Sequence, residues 1–290
     1  MKIAQLVDSS GNLPRNILNH YGIKEVPVYF SLDDQHYYRE NQDFKTTDFY
    51  QHMKAHRDRV PKTAAVNVHD WMEGFSEMYE KGYQKMIVST IASHLSCTMD
   101  NAKQAREIFL STRHDVDIYI CETNTCACGQ AALEIYIAQM INDEGVSWEA
   151  LLTRVNDIIP RVSSLFSVQE FTYMKAGGRI GGAVAFLGDL IKIMPVCEFI
   201  QGTVHPIKAI RGRKKSLTAM VEIALSRINN PENTIIVVQN ALCEEDAKFM
   251  VDLLRTRLTF SGEIFQSLVG TTVGSHSGPG AIGIGFVEKS

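Results

Sequence analysis

The chain opens on a short apolar run, residues 2–7 (KIAQLV), closed by the polar turn Asp8-Ser9-Ser10-Gly11-Asn12. Such a run reads as a buried strand, and the turn can cap whatever follows. Pro14 suits a helix start, and Ile17, Leu18 and Tyr21 give that helix one apolar face. Residues 25–30 (EVPVYF) predict a second strand, with Pro27 at an edge or an end. Residues 44–56 are amphipathic, 61–67 (PKTAAVN) read as a loop, and 68–81 form a helix rich in aromatics. Strand and helix then alternate: strand 85–90, polar junction 92–98, helix 99–110, strand 116–121, turn 122–125, helix 126–142. This spacing predicts a parallel sheet covered on both faces. The loops beginning at Asp8, Ala92 and Glu122 all leave carboxyl ends of strands. They should gather on one rim, where such sheets bind ligands.

After a helix at 148–159 the pattern changes. Pro160 breaks the chain, 163–168 reads as a strand, and a glycine-rich stretch fills 171–195. Residues 193–200 and 203–209 make a hairpin across Gln201-Gly202. Helix 216–228, strand 234–239, helix 244–258, strand 263–268 and strand 281–287 complete the chain. The expectation is an α/β protein of two domains. Residues 1–160 hold a parallel sheet flanked by helices, and 161–290 form a mixed α+β domain. A length of 290 residues is long for a single core, which points the same way.

Composition serves mainly to exclude. A net charge of −4 disfavours a nucleic-acid binder, which usually carries a basic surplus. No apolar run reaches the length of a membrane span. The first residues lack a signal peptide's apolar core, so the cytoplasm is the expected location. Six cysteines then read as thiols and not as a disulfide frame. Cys121, Cys126 and Cys128 cluster, yet their spacing fits no common zinc pattern. They are expected to fill a strand-to-helix corner, with no metal and no cofactor.

Several stretches could carry chemistry. Arg179 stands between Gly177-Gly178 and Gly181-Gly182, a charged residue on a tight, exposed corner. His276 lies among Gly274, Gly278 and Gly280, where missing side chains suit either a ligand's approach or a plain surface turn. Ser93, His94, Ser96 and Thr98 mark a strand-to-helix junction that can hold an anionic oxygen or simply cap the helix. Thr63, after Pro61-Lys62, is a further candidate of that kind. The run Arg211-Gly212-Arg213-Lys214-Lys215 is a solvated helix entrance or a site for a phosphate or acidic partner. The letters Gly278-Pro279-Gly280-Ala281-Ile282-Gly283 match a dinucleotide fingerprint, but too few residues follow to build its helix and second strand. No Ser in a G-x-S-x-G frame supports a serine hydrolase.

Taken in order, these residues resemble the DegV family of bacterial fatty-acid-binding proteins. The resemblance runs nearly end to end: Asp8-Ser9-Ser10 with Leu13-Pro14, Pro61-Lys62-Thr63, and Ala92-Ser93-His94-Leu95-Ser96-Cys97-Thr98. Lys175-Ala176-Gly177-Gly178-Arg179-Ile180, Lys192-Ile193-Met194-Pro195, Arg213-Lys214-Lys215 and Gly274-Ser275-His276-Ser277-Gly278 are its most specific pieces. It implies one long-chain fatty acid held between two domains and no covalent chemistry by the chain itself. A separate fatty acid kinase subunit would phosphorylate the bound carboxylate to an acyl phosphate. Carried over by position, Thr63 and Ser93 would hydrogen-bond the carboxylate, with His276 in the same cluster. Arg179, and less strongly Arg211, would face the kinase or the phosphate. The chain departs from the family pattern at Ala64, Ala65, Val66, Cys97 and Glu122, around the rim of the first domain. The competing class is a stand-alone small-molecule enzyme, with His276 as acid or base and Ser93 binding substrate.

Overall fold

Three sheets organise the polypeptide; the structure, a computed structural model, describes residues 2–186, 193–258 and 262–289. Strands β1 (Ile3–Asp8), β2 (Lys24–Val26), β6 (Lys85–Thr90) and β7 (Asp117–Glu122) form a parallel sheet in the order β2-β1-β6-β7. Strands β3 (Tyr29–Ser31), β4 (Tyr38–Arg39) and β5 (Lys62–Ala64) make a small antiparallel sheet. A mixed sheet takes β8 (Ser163–Ser167), β9 (Val196–Ile200), β10 (Thr203–Lys208), β11 (Thr234–Asn240), β12 (Ile264–Leu268) and β13 (Ile282–Glu288). Its order is β10-β9-β8-β13-β11-β12, with β11 and β12 its parallel pair.

The period of two in the strands decides which core each residue enters. Ala4, Leu6, Met86 and Val88 meet Trp71 and Phe75 of the helix Val68–Glu80 on one face of the parallel sheet. Val7 and Ile87 point the other way, toward the helix Ala127–Asn142. That helix also receives Ile235, Val237 and Val287 from the mixed sheet, so it is clamped between two sheets. Twelve of its sixteen residues are buried, as its nearly unbroken run of apolar and small residues requires. The far face of the mixed sheet packs Ile236, Val238 and Ile284 against Leu217, Met220 and Met250.

Every strand of the parallel sheet precedes Pro160, and every strand of the mixed sheet follows it. The small sheet behaves differently. Phe30, Phe49, Tyr50 and Met53 share a core with Val168, Tyr173, Val204 and Val269, all from beyond Pro160. Residues 29–64 therefore reach across and pack on the later half of the chain.

Three expectations change. Residues 25–30 are not one strand: Lys24–Val26 pairs parallel with β1, whereas Tyr29–Ser31 pairs antiparallel in the small sheet. Pro27, which has no N–H for a ladder, stands at the crossing point. Residues 62–64, expected in a loop, form β5 because Tyr29–Ser31 supplies a partner that local sequence does not reveal. His276, expected in a loop, sits on the last turn of the helix Thr271–Ser277, which Gly278 ends at φ 75°. Lys192 of the Lys192-Ile193-Met194-Pro195 motif lies outside the described residues. Among those residues no helix is long and apolar enough to cross a membrane.

The glycines that imitate a dinucleotide fingerprint have a packing reason. A Cβ on Gly283 would lie 2.9 Å from Cys128 Sγ, and one on Gly285 only 2.0 Å from the Cys128 carbonyl oxygen. Strand β13 must come this close for the helix Ala127–Asn142 to sit between the sheets. Gly285→Ala should therefore lower stability by about 3 kcal/mol, the upper end for overpacking, since backbone cannot turn aside like a side chain. Urea unfolding followed by circular dichroism measures the change, and a loss below about 1 kcal/mol would mean that helix and strand separate easily.

Candidate functional site

The three loops at the carboxyl ends of the parallel sheet do meet, and hydrogen bonds join them. Asp8 Oδ2 accepts from Ile91 N (2.7 Å), Ala92 N donates to Thr125 O (3.0 Å), and Ser93 N donates to Glu122 Oε1 (2.8 Å). Between this rim and the mixed sheet lies a cavity of about 390 Å³, lined by residues from both sides of Pro160. Much of the wall is apolar, from Val28, Ile91, Leu95, Phe166, Met174 and Phe199. Thr63, Ser96, Arg179 and His276 supply polar groups.

Thr63 and His276, 213 residues apart, are brought into contact: Thr63 Oγ1 and His276 Nε2 stand 2.9 Å apart. Alternation along β5 sends Lys62 outward, where it pairs with Asp34 (2.8 Å), and turns Thr63 the other way. His276 reaches the site because its helix is held on several sides. At the first turn, Glu40 Oε1 accepts from Thr271 Oγ1 (3.0 Å) and Thr272 N (2.8 Å). Along the flank, Tyr50 lies so close to Gly274 that a Cβ there would be 2.4 Å from its hydroxyl, which donates to Val269 O (2.9 Å). Over the imidazole lies Gly177, where a Cβ would be 2.0 Å from Nδ1. One of the two Gly-Gly pairs thus exists to admit the histidine ring, and Gly178 at φ 71° turns the chain away behind it.

Burial drives the His276 pKa down to about 4, helped by the nearby Arg179 guanidinium. At neutral pH the imidazole is therefore uncharged, able to donate one hydrogen bond and accept one. Arg179 spans the rim: Nε donates to Leu95 O (3.1 Å) and Nη1 donates to Gly177 O. A neutral histidine, a hydroxyl and a partly exposed arginine at one place favour an anionic oxygen over a cation. The same field makes His276 a poor general base near pH 7.

The other expected residues fall elsewhere. Ser93 does not line the cavity; its hydroxyl donates to Glu122 Oε1 (2.6 Å). Glu122, one of the departures from the family pattern, is the residue that holds it. Ser96, three positions on, does line the cavity, its Oγ 2.9 Å from Thr98 Oγ1. Arg211 is exposed, and its backbone bridges to Ile193 away from the cavity. Arg213 in the same run is structural, its Nε donating to Asp246 (2.8 Å) and Nη2 to Gly280 O (2.7 Å). Ala64, Ala65 and Cys97 all line the cavity, so the departures reshape its wall.

Cys121, Cys126 and Cys128 are buried, and burial pushes the thiols of Cys121 and Cys128 up to about 12 and about 11. They are neutral packing groups; Cys128 Sγ lies 3.6 Å from Ser164 Oγ. Among the described residues no group of three or more His, Cys, Asp or Glu could hold a metal ion. Ser10, Gln239 and Glu40 are not among the site residues expected from sequence. Ser10 and Gln239 line the cavity, and Glu40 fixes the histidine helix. Ser10 had a signal in its place on a strand-end turn, whereas Gln239 and Glu40 had none.

The profile of a family described as "Uncharacterised protein, DegV family" matches residues 2–289. A Thermotoga maritima protein named fatty acid-binding protein is 28% identical over 99% of this chain and 98% of its own. A structure described as a stearic acid-binding protein from Eubacterium ventriosum superposes with a TM-score of 0.93 at 24% identity, covering 100% of this chain and 99% of that one. Another, described as fatty acid binding of a DegV family protein from Thermus thermophilus, gives 0.86 at 26% identity, covering 99% and 100%.

The electrostatics can be checked directly. Nitrogen-detected NMR should find His276 neutral from pH 8 to pH 5, titrating near pH 4, and Arg179→Ala should raise that value. The sign for stability follows from linkage. Because the folded pKa is depressed, His276's contribution is present above about pH 6.5 and is lost as pH falls toward about 4. A histidine that titrates near 6.5 in the folded protein would mean that water reaches the ring.

Proposed function

Because the chain belongs to the DegV family, we propose that it binds one long-chain fatty acid in this cavity and presents the carboxylate to a separate kinase subunit for acyl-phosphate formation. The observation that carries the lipid part is a cavity with a largely apolar wall and one polar cluster made of Thr63, His276 and Arg179. An acyl tail contributes about 0.8 kcal/mol per buried CH₂, on the order of 10 kcal/mol for a long chain before entropy losses. The head group therefore needs orientation more than affinity. A carboxylate leaving water costs several kcal/mol unless its oxygens are paired. Thr63 Oγ1 and a neutral His276 offer that pairing, and Arg179 offers charge. Ser93 takes no part while Glu122 holds its hydroxyl.

Presentation to a kinase rests on the family resemblance and on where Arg179 stands. It lines the cavity yet remains exposed, so it can meet both the carboxylate and an incoming phosphoryl group. Arg211, exposed and clear of the cavity, belongs to the face offered to the partner. Among the described residues no partner for its guanidinium competes with that role.

Protein purified without added ligand should release one equivalent of long-chain fatty acid into organic solvent, identified by mass spectrometry. A clean extract, together with delipidated protein that takes up no stearate, would overturn the reading. Arg179→Ala should retain lipid but slow phosphoryl transfer by roughly tenfold or more, the equivalent of a charge-assisted hydrogen bond of about 1.5–3 kcal/mol. A variant that purifies empty would make the arginine part of the lipid site alone.

A further inference from the structure

Glu40 is completely buried, and no cation pairs with it among the described residues. Three donors converge on its carboxylate. Ser9 Oγ donates to Oε2 (2.6 Å), and Thr271 Oγ1 (3.0 Å) and Thr272 N (2.8 Å) donate to Oε1. Ser9 follows β1 in the parallel sheet, whereas Thr271 and Thr272 open the helix that ends at His276. Glu40's own backbone is fixed as well, since its N donates to Val28 O (2.9 Å), and Val28 N in turn donates to Ser9 Oγ (3.0 Å). Gly270 leaves room for the contact, because a Cβ there would lie 2.3 Å from Glu40 Oε1.

We propose that Glu40 is a positioning residue for the carboxylate site: by tying the first turn of Thr271–Ser277 to Ser9, it sets where His276 stands against Thr63. This rests on the fatty-acid reading above and deepens it. The ionised carboxylate accepts all three bonds. Once protonated on Oε2 it donates to Ser9 Oγ, and the bonds from Thr271 and Thr272 to Oε1 lose their charge-assisted strength, so the helix is held less firmly. Burial and the neighbouring Glu25 carboxylate raise the Glu40 pKa to about 7, against the lowering effect of its three donors. The other titratable groups around it are few. Tyr50, on the helix Thr46–Ala55, feels the Glu40 charge, Glu25 is paired with Arg15 (3.8 Å) and feels Asp8, and His276 is neutral. The hold on His276 is thus complete above neutrality and weaker below it.

Calorimetric titration of delipidated protein with stearate between pH 6 and 8.5 tests this. Wild-type affinity should rise about threefold to tenfold across that range. Glu40→Gln, which keeps the shape but cannot ionise, should show a flat profile. In a His276→Ala background, adding Glu40→Gln should change nothing further, a result that general loosening of the fold would not give. Should Glu40→Gln fail to fold, Thr271→Val removes one donor to the ionised form and should move the midpoint to higher pH. A wild type that binds with no pH step, a step that survives Glu40→Gln, or an unmoved midpoint in Thr271→Val overturns the role of Glu40 and leaves fatty-acid binding standing. A wild type that takes up no stearate at any pH overturns both.

Discussion

A buried carboxylate with no counter-ion among the described residues joins the two ends of this chain. Placing Glu40 in the interior costs several kcal/mol unless hydrogen bonds replace the water it loses. Ser9, Thr271 and Thr272 replace it, and in doing so they commit the histidine helix to one position beside the parallel sheet. Much of the cavity's polar end follows from that commitment. With the helix fixed, His276 meets Thr63, Gly177 covers the ring, and Arg179 is left to span the rim to Leu95.

Close approach is the second constraint. At Gly129, Gly177, Gly270, Gly274, Gly283 and Gly285 a Cβ would come within 3.0 Å of another residue. Two consequences differ in kind. Around the helix Ala127–Asn142 the missing side chains let two sheets share one helix, which is a matter of stability. Around His276 they let a ring, a tyrosine and a carboxylate converge without clashing, which is a matter of geometry at the site. The same residue type thus serves fold and function through one property, the absence of Cβ.

The departures from the family pattern also acquire a physical meaning. Glu122 accepts from both the N–H and the hydroxyl of Ser93, while Ala64, Ala65 and Cys97 line the cavity with small or weakly polar groups. Of the four residues expected there, Thr63, His276 and Arg179 line the cavity and Ser93 does not. Ser96, which the junction sequence contains but does not distinguish from its neighbours, lines the wall instead.

What could be read from residues alone was whatever short range physics controls. Apolar runs located most strands, the alternation with helices announced the parallel sheet, and ordered motifs named Thr63, Ser93, Arg179 and His276 as candidates. The turn at Asp8 and the junction after Thr90 were legible as strand ends. Pairing across long separations was not. Whether Lys62–Ala64 is a strand depends on Tyr29–Ser31, whether 25–30 is one strand depends on a sheet change at Pro27, and neither partner leaves a local mark. Glu40 looks in sequence like any surface acid, because its burial is decided by donors 31 and more than 230 residues away. The sequence by itself determined most element types and the chemistry available; the tertiary structure decided the rest, and which groups meet. Burial and hydrogen-bond satisfaction are properties of convergence in space, and a chain read in order carries them only as isolated parts.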